Sequence, residues 1–358
     1  MDPPIKGRGA QSNRSSRFLR LATDASAEFV DAAPADEDAP PRHPATTLHV
    51  DAARTIISRN DSPDVPFGQS INPYRGCEHG CVYCFARPTH AYLDHSPGLD
   101  FETQIYFKPN AAALLDAELR RPGYRPDPIH LGANTDPYQP LEREARITRQ
   151  ILEKLLEFGH PVTVLTKGTL IERDLDVLAE LSRRGLARAA VSITTLDAGL
   201  KRTLEPRAAS PAARLRAVAA LTAAGVPTAV LVAPVIPAVN DHELEAILES
   251  AARAGARRAG WILLRLPREV RALVTEWLEA HRPLAAARVL SLLRDARGGK
   301  DSDSRFHARM RGEGAYADLI NRRFATAVRR LGLETGNGAP LDTSQFRVPP
   351  AGGQLALL

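Results

Sequence analysis

The sequence predicts an α/β protein built as a partial (β/α)6 barrel of the TIM type, and three observations lead to that prediction. Short runs of apolar and β-branched residues recur six times between residues 70 and 267. Longer segments with the period of an amphipathic helix separate most of them. The repeated order of strand and then helix favours parallel strands joined by crossover helices. An open doubly wound sheet would give the same order, but the number and regularity of the units favour the incomplete barrel.

The predicted elements can be placed one by one along the chain. We expect strands at 70–74, 128–134, 161–168, 187–197, 227–237 and 258–267. Amphipathic periodicity predicts helices at 141–159, 171–185, 210–225 and 241–255. Each of these helices ends in a glycine, which is a common stop signal: Gly159, Gly185, Gly225 and Gly255. Ser210 and Asn240 precede two of the helices and are residue types typical of a helix start.

The barrel itself is placed at residues 66–283, with an extension on either side. The irregular amino-terminal extension, 1–65, begins with a basic stretch and continues into the acidic, proline-rich segment 31–44. Such a composition buries little apolar surface, so most of this extension is expected to be mobile. The carboxy-terminal extension, 284–358, contains a basic helical segment and ends in a loose tail.

The balance of charged residues is slightly basic. The 358 residues include 47 Lys and Arg against 42 Asp and Glu, which gives a formal net charge of +5. This balance is compatible with nucleic acid or phosphate ligands, and a solvated basic surface explains it equally well. The sequence contains no apolar run as long as a membrane span and no apolar stretch of a secretion signal. We therefore expect a cytoplasmic protein without a membrane partner, whose thiols stay reduced.

Polar residues collect just past the ends of the predicted strands. In barrels and open parallel sheets, ligands bind where the strands end and the loops begin. The chain therefore has one candidate mouth, at which these side chains would meet. They are Asn134, Thr135, Asp136 and Tyr138 after the second strand, Thr166 and Lys167 after the third, Ser192, Thr194, Thr195 and Asp197 on the fourth, and Arg265 on the sixth.

All three cysteines of the chain, Cys77, Cys81 and Cys84, lie within eight residues after the first predicted strand. Thiolates bind soft or borderline metals, and an odd number of cysteines argues against a disulfide framework. A four-iron cluster takes four cysteines, so three leave one iron open to another ligand. The alternative is a closed zinc site of the Cys3His type, completed by His79 or His90.

The stretch CEHGCVYC resembles the CxxxCxxC signature of the radical S-adenosylmethionine (radical SAM) enzymes, including the aromatic residue before the last cysteine. Within that superfamily the chain is similar to the spore photoproduct lyase-like, or "DNA repair photolyase", group. That similarity rests on NPYRGCEHGCVYCFAR, TDPYQPLE, TKG, LEPRAASPAARL and VAPVIPAVND. It implies a [4Fe-4S] cluster on the three cysteines and S-adenosylmethionine on the open iron. One electron would then cleave this cofactor to a 5′-deoxyadenosyl radical, which abstracts hydrogen from the substrate.

The resemblance also implies a set of cofactor-binding residues: Tyr83, Asn134, Thr135, Asp136, Lys167, Ser192 and Thr194. The tyrosine would lie beside the adenine. The three residues after the second strand would contact the cofactor's amino group, although they depart from the family's Gly-Gly-Glu pattern. The lysine would meet the cofactor's carboxylate, because a cation suits that charge. The serine and threonine of the fourth strand would contact the ribose.

Candidate catalytic residues follow from the same resemblance. Glu205 and Arg207 would orient substrate or cofactor, with a local ion pair as the alternative. Spore photoproduct lyase is expected to use a further cysteine to return hydrogen to its product, and this chain has no cysteine outside the cluster. A tyrosine is the candidate substitute, either Tyr138 or one of Tyr74 and Tyr106. The missing thiol argues against spore photoproduct repair itself.

The favoured function is therefore a radical SAM enzyme acting on nucleic acid, at a DNA lesion or a modified nucleotide. One alternative is the same chemistry on a small molecule or protein, and another is a zinc-binding nucleic-acid module without catalysis. An external electron donor of the flavodoxin or ferredoxin type is implied. The final residues Gln354–Leu358 resemble peptides that dock on the bacterial sliding clamp, which would tie the enzyme to DNA.

Overall fold

The computed structural model describes residues 7–18 and 45–350. Within them the strands are β1 (Thr47–Val50), β2 (Ile57–Arg59), β3 (Gln69–Ile71), β4 (Tyr74–Arg75), β5 (Gln104–Phe107), β6 (Ile129–Leu131), β7 (Val162–Thr166), β8 (Ala187–Ser192), β9 (Thr228–Val235) and β10 (Arg258–Leu263). The first six helices are α1 (Asp100–Thr103), α2 (Ala111–Leu119), α3 (Glu142–Ala145), α4 (Ile147–Glu157), α5 (Leu175–Arg183) and α6 (Ala198–Leu204). The remaining helices are α7 (Pro211–Ala223), α8 (Leu244–Arg253), α9 (Val270–His281), α10 (Pro283–Asp295), α11 (Ala308–Arg311) and α12 (Ala315–Arg330). Three 3-10 helices cover Arg87–Leu93, Leu170–Asp174 and Asp241–Glu243.

The larger of two sheets has the strand order β10-β9-β8-β7-β6-β3-β2. Six of its strands, β3 and β6 to β10, pair in parallel, and only β2 runs antiparallel beside β3. These six correspond to the six predicted strands, so the mixed α/β architecture with a parallel sheet is confirmed. From β6 to β10 the order in the sheet follows the order in the chain, as expected when each crossover returns the chain to the next position. The carboxyl ends of the six strands therefore share one edge.

One face of this sheet carries the main core. Along β7, Val162, Val164 and Thr166 are buried while Thr163 and Leu165 are half-buried, which is the alternation of a strand with two unlike faces. Helices α5, α7 and α8 pack on β8 and β9 and bury their apolar side chains there. The layered arrangement is stabilised mainly by this removal of apolar surface from water.

The predicted helix 141–159 is divided into α3 and α4, because a buried carboxylate caps the second half. Glu142 accepts hydrogen bonds from the backbone N–H groups of Ile147 and Thr148, each at 3.1 Å. Arg146, between the two helices, has a φ of 50°. Two otherwise unpaired N–H groups of the α4 amino-terminus thereby gain a charged acceptor.

The predicted helix boundaries are confirmed at the glycines, at Ser210 and at Asn240, which precedes the 3-10 helix Asp241–Glu243 that leads into α8, although its side chain forms no capping bond. Positive φ angles of 61° to 102° mark the four helix-ending glycines. Ser210 Oγ accepts the N–H of Ala213 at 3.2 Å. The Asn240 side chain instead donates to the carbonyls of Thr194 at 2.7 Å and Pro234 at 2.9 Å. It therefore ties together the loops that follow β8 and β9.

Parts of the amino-terminal extension are ordered against the rest of the protein. β1 pairs with β5 in a small sheet of order β1-β5-β4, and β2 forms an edge of the larger sheet. Residues 7–18 include the buried Arg8, Gly9, Ala10 and Ser16. β1 and β2 are thus regular elements of this extension, whereas residues 7–18 contain no helix or strand although several of them are buried. The acidic segment 31–44 and the candidate clamp peptide Gln354–Leu358 lie outside the described residues.

The carboxy-terminal extension packs on the larger sheet and its helices through α12 and the segment that follows it. Arg323 of α12 forms an ion pair with Glu245 of α8 at 2.6 Å. Arg188 of β8 donates to the carbonyls of Asn337 and Ala339. A cavity of about 800 Å³ lies beside these contacts, near the amino ends of the strands and away from the cysteines. In the described ranges, no helix combines the length and apolar content needed to span a membrane.

Candidate active site

The cysteine loop, residues 76–86, follows β4 and is shaped by tight turns. Cys77 N–H donates to Phe101 O at 2.9 Å, which ties the loop to α1, and Cys84 N–H donates to Cys81 O at 3.2 Å. Gly76 and Gly80 have φ angles of 80° and 67°, which residues with a side chain rarely adopt. Cys77 and Cys81 are each 7% exposed, and Cys84 is half-buried. The turns therefore hold all three thiols in one loop that is mostly shielded from water.

Burial raises the pKa of all three thiols. For Cys77 the negative charges of Asp136 and of the other two cysteines add to this effect. For Cys81 burial and then Glu205 raise the pKa to about 12, whereas Lys167 opposes the shift. Thiols in such surroundings ionise when they bind a metal, because the thiolate is the ligand and the metal supplies the compensating charge.

Glu205 is the centre of a buried polar network beside the loop, which we call the front network. Its carboxylate accepts hydrogen bonds from the Tyr83 hydroxyl and from Thr194 Oγ1, the latter at 2.7 Å. Arg214, which is also buried, pairs with the other carboxylate oxygen. Burial alone would raise the pKa of Glu205, but Arg214 and Lys167 hold it well below its usual range. Glu205 is therefore an ionised carboxylate close to the thiols.

Lys167 joins this network from the end of β7. Its Nζ atom donates to Ser192 Oγ and to Ala233 O, the latter at 3.2 Å, and lies 3.5 Å from Glu205 Oε1. The same atom lies 5.8 Å from the centre of the Tyr83 ring. Lys167 and Arg214 together carry two positive charges against the single carboxylate of Glu205. The front network therefore has an excess of positive charge, which favours an anionic ligand.

Asp136 is the centre of a second group of polar residues at the carboxyl edge of the larger sheet. It accepts hydrogen bonds from Thr166 Oγ1 at 2.6 Å and from the Lys167 N–H at 2.7 Å, and its carboxylate lies 3.3 Å from His79 Nδ1. Burial would raise the pKa of Asp136, but His79 and these hydrogen bonds bring it below its ordinary value.

The zinc alternative needs a histidine beside the cysteines, and both candidates are engaged elsewhere. His79 faces Asp136, and His90 Nε2 lies 2.9 Å from Gln104 O. These contacts speak against a closed Cys3His site.

Three other predicted residues lie outside these two groups. Thr135 Oγ1 donates to the backbone carbonyl of Tyr74 at 2.9 Å, and Asn134 is exposed. Arg207 pairs at 3.1 Å with Glu78, the residue after the first cysteine. The structure therefore gives Thr135 and Arg207 contacts that hold the loop.

The three candidate tyrosines are directed to other partners. The buried Tyr138 hydroxyl donates to Asp174 at 3.0 Å, and the buried Tyr74 hydroxyl donates to Glu142. Arg173 pairs with both carboxylates at 2.8 Å, so these residues form one connected set, which we call the back network. The Tyr106 hydroxyl oxygen lies 2.9 Å from His95 Nε2. Tyr83, in the front network, is thus the tyrosine that the structure places against Glu205.

The strap, residues 7–18, crosses the cysteine loop, and the sequence-based predictions missed it. Backbone N–H groups of Gly9 and Ala10 donate to the buried Glu102 carboxylate at 3.0 and 2.8 Å. Arg87 pairs with the same carboxylate and donates to Cys81 O at 2.9 Å. A Cβ atom on Gly9 would overlap the carbonyl oxygen of Gly80, so only glycine allows this approach. The signal available in the sequence was the pair of glycines in the basic stretch GRGA.

Two further residues were overlooked although they lie in the quoted motifs. Gln139, in TDPYQPLE, accepts the N–H of Glu78 at 2.9 Å and is fully buried. Arg214, in LEPRAASPAARL, balances the charge of Glu205 and donates to Ser192 O at 3.0 Å. Both are long polar side chains that the fold buries, which is unusual unless they are paired.

These residues fit an iron–sulfur cluster with S-adenosylmethionine. The three thiols are the soft donors that such a cluster takes, and the loop offers no fourth. The front network adds an excess positive charge, which suits the carboxylate of S-adenosylmethionine. The hydroxyl groups of Ser192, at the end of β8, and of Thr194, just beyond it, contact Lys167 and Glu205. The donor set and its polar surroundings therefore match the cofactor pair that the sequence motif implies.

A profile described as the Radical SAM superfamily matches residues 71–251, which include the cysteine loop and both polar groups. An uncharacterized protein of Mycobacterium tuberculosis (strain ATCC 25618 / H37Rv) is 39% identical over 257 residues, covering 71% of this chain and 76% of that protein. An uncharacterized protein of Methanocaldococcus jannaschii is 27% identical over 173 residues, covering 48% and 62%.

Similar solved structures include spore photoproduct lyase complexed with dinucleoside spore photoproduct. It has a TM-score of 0.58 and 17% sequence identity, covering 80% of this chain and 81% of that chain. A double mutant of the lyase with bound AdoMet and dinucleoside spore photoproduct gives a TM-score of 0.54 at 15% identity, covering 80% of each chain. At this level of identity the similarity shows a shared fold.

Proposed function

Because the chain belongs to the radical SAM superfamily, we propose that it is an enzyme that cleaves S-adenosylmethionine reductively and acts on a nucleic acid. We assign Cys77, Cys81 and Cys84 as the protein ligands of a [4Fe-4S] cluster. The single observation that carries the proposal is the position of these thiols beside the front network, at the carboxyl edge of the parallel sheet. We take that open sheet as the partial barrel of the superfamily.

The bound cluster and cofactor would supply a 5′-deoxyadenosyl radical, with an external electron donor of the flavodoxin or ferredoxin type as the source of the electron. Lys167 would bind the cofactor's carboxylate. Ser192 and Thr194 present hydroxyl groups for the ribose, and Asp136 presents a carboxylate for the amino group. Glu205 holds Lys167 and Tyr83 in place, and the strap excludes water from the loop.

A nucleic-acid substrate is the finer part of the proposal. It is supported by the basic balance of the chain and by the shared fold with a lyase that was solved with a dinucleoside spore photoproduct. The chemistry would differ from a reaction in which a thiol returns hydrogen to the product, because the sequence has no cysteine outside the loop. Radical chemistry on a small molecule or protein is the alternative.

The test is anaerobic turnover of the reconstituted full chain with dithionite and S-adenosylmethionine. Release of 5′-deoxyadenosine would support the radical chemistry, and its absence from protein with a full iron complement would contradict it. Oligonucleotides carrying a lesion or a modified base are then added. A new nucleoside product in the digested oligonucleotide would support the proposed substrate. Unchanged oligonucleotides, with continued release of 5′-deoxyadenosine, would favour the alternative.

A further inference from the structure

We propose that Phe85 and Arg265 form a nucleotide subsite beside the cysteine loop, where a base stacks on the phenyl ring and its phosphate binds the guanidinium. This inference rests on the proposed nucleic-acid substrate and names two residues that would bind it. Phe85 directly follows Cys84, and Arg265 follows the end of β10, the sixth parallel strand. The subsite would therefore lie where the strand ends converge.

Phe85 is an exposed ring in an otherwise buried stretch. Its side chain is 46% exposed, whereas its neighbour Ala86 is fully buried. The exposed part of the ring is available for stacking with a planar ligand. The Arg265 guanidinium lies over this ring, 5.7 Å from its centre. An exposed ring with an adjacent guanidinium combines a stacking surface with a phosphate-binding group.

The same combination recurs at every exposed aromatic side chain within residues 7–18 and 45–350. Arg17 lies over Phe18 and Tyr92, at 4.6 and 5.1 Å from the ring centres. Arg309 lies over Phe306 at 4.8 Å. The described exposed aromatic residues are Phe18, Phe85, Tyr92 and Phe306, so each of the four has a guanidinium over it. We call this set, with its three arginines, the aromatic–arginine rim.

The parts of the rim are connected around Arg265. Its Nη1 atom lies 3.7 Å from the sulfur of Met310, the residue after Arg309. Arg17 pairs at 2.7 Å with Glu269, four residues after Arg265. The aromatic members of the rim therefore belong to the strap, the cysteine loop and its following 3-10 helix, and the carboxy-terminal extension. A single-stranded nucleic acid offers several bases and phosphates to such a set.

Arg265 differs from the other two arginines because its charge lacks an internal partner. Arg17 pairs with Glu269 and Arg309 pairs with Asp64. In the described part of the chain, no carboxylate lies within ion-pair distance of the Arg265 guanidinium. Burial, Arg309 and Arg297 lower the pKa of Arg265 to about 10, and Asp64 opposes this only weakly. A half-buried cation among other cations favours an anion, and a phosphate provides one.

The experiment measures binding of a fluorescent single-stranded oligothymidine to the reconstituted full chain, over a series of salt concentrations. The variants are Arg265→Gln and Phe85→Ala. Arg216→Gln, an exposed arginine on α7, is the matched control for loss of one charge. An oligomer with the same phosphates but without bases is the second probe. Iron content and melting temperature show whether each variant is folded and loaded.

We expect the two variants to weaken oligonucleotide binding with different salt dependence. Arg265→Gln should weaken binding about tenfold at low salt and reduce the slope of log K against log salt by about one, because one phosphate contact is lost. Phe85→Ala should weaken oligothymidine binding about tenfold with an unchanged slope, because stacking is largely independent of salt. The abasic probe should be insensitive to Phe85→Ala. The control should bind as the parent protein does.

Two results would overturn the subsite. If the parent protein binds oligothymidine and Arg265→Gln matches it in affinity and slope, the subsite is wrong while the proposed nucleic-acid substrate stands. If the parent protein binds neither probe but releases 5′-deoxyadenosine, both the subsite and the nucleic-acid substrate are wrong, and the radical chemistry stands. The two failures are therefore distinguishable.

Discussion

The front and back networks are built from the same residue types, but their charges are balanced differently. Each has a fully buried glutamate, Glu205 or Glu142, that accepts a tyrosine hydroxyl and pairs with an arginine. In the back network Glu142 also caps α4, and Arg173 is shared with Asp174. Arg149 also lies 3.6 Å from Asp174, so the two buried carboxylates face two guanidinium groups and are balanced within the protein.

The front network keeps a charge that the protein does not balance. Lys167 and Arg214 face the single carboxylate of Glu205, and Lys167 lies at the strand edge, next to the cysteines. A buried polar set that is complete stabilises the fold, whereas one with an excess charge is prepared for a ligand. The two networks therefore differ in their charge balance, although they share the same residue types. This difference predicts that damage to the two networks has separable consequences.

The largest expected effect is at the thiols that adjoin the front network. Cys81→Ala should lose bound iron and abolish release of 5′-deoxyadenosine, because no other cysteine is present to replace the ligand. Cys81→Ser keeps the side-chain volume and separates loss of the ligand from loss of packing. Iron analysis and nucleoside chromatography of anaerobically reconstituted protein are the measurements. Full iron content and normal cleavage in Cys81→Ala would remove this cysteine from the proposed ligands.

Substitutions in the back network should lower the free energy of unfolding. Glu142→Gln should lower the free energy of unfolding by about 2 kcal/mol, since Arg173 and the α4 cap lose a charged acceptor. Glu144→Gln, exposed on the same short helix, should change it by less than about 0.5 kcal/mol. Urea unfolding followed by circular dichroism measures both. Equal stability of the two variants would show that the back network contributes little to the fold.

The strap should affect the lifetime of the cluster. Gly9→Ala places a Cβ atom against Gly80 O, so the strap must detach and open the cysteine loop to solvent. The visible absorption of the reconstituted protein should then bleach several-fold faster in air. Arg14→Gln, which breaks only a half-exposed pair between the strap and Glu276, is the control. Identical bleaching of Gly9→Ala and the parent would mean that the strap does not shield the cluster.

The smallest expected effects are those of phenylalanine substitutions at Tyr138 and Tyr83. Tyr138→Phe loses its hydrogen bond to Asp174 and should cost about 1 kcal/mol of stability, with cleavage of S-adenosylmethionine retained. Tyr83→Phe removes a donor from Glu205 and should slow cleavage. If Tyr138→Phe stops product formation from an oligonucleotide while the protein stays folded, the sequence-based prediction of Tyr138 as hydrogen donor would be supported instead.

The periodic part of the fold was predictable because local pattern and tertiary structure agree there. The predicted strand 161–168 contains β7 (Val162–Thr166), and 258–267 contains β10 (Arg258–Leu263). The predicted strands extend past the observed ends, because side chains there bond to neighbouring loops and the backbone leaves the sheet. Thr194 and Thr195, for example, bond to Glu205 and Glu243.

The features that the sequence did not predict depend on contacts between distant parts of the chain. The strap is held by Glu102, more than ninety residues away, so its order leaves no periodic signal in its own sequence. The division of the predicted helix 141–159 follows from the inward position of Glu142, which a pattern of apolar residues does not report. Motifs located most of the front network, but they placed Tyr83 beside the adenine and gave no sign of its hydrogen bond to Glu205.

The most direct test of the charge-balance account compares Glu205→Gln with Glu142→Gln in one assay. Both variants remove the charge of a fully buried glutamate that holds a tyrosine and an arginine. The measurement is the rate of 5′-deoxyadenosine release per bound cluster under dithionite, at saturating S-adenosylmethionine and below the melting temperature of each variant. The account predicts that Glu205→Gln loses most of this rate and that Glu142→Gln keeps it. Equal rates in the two variants would contradict it.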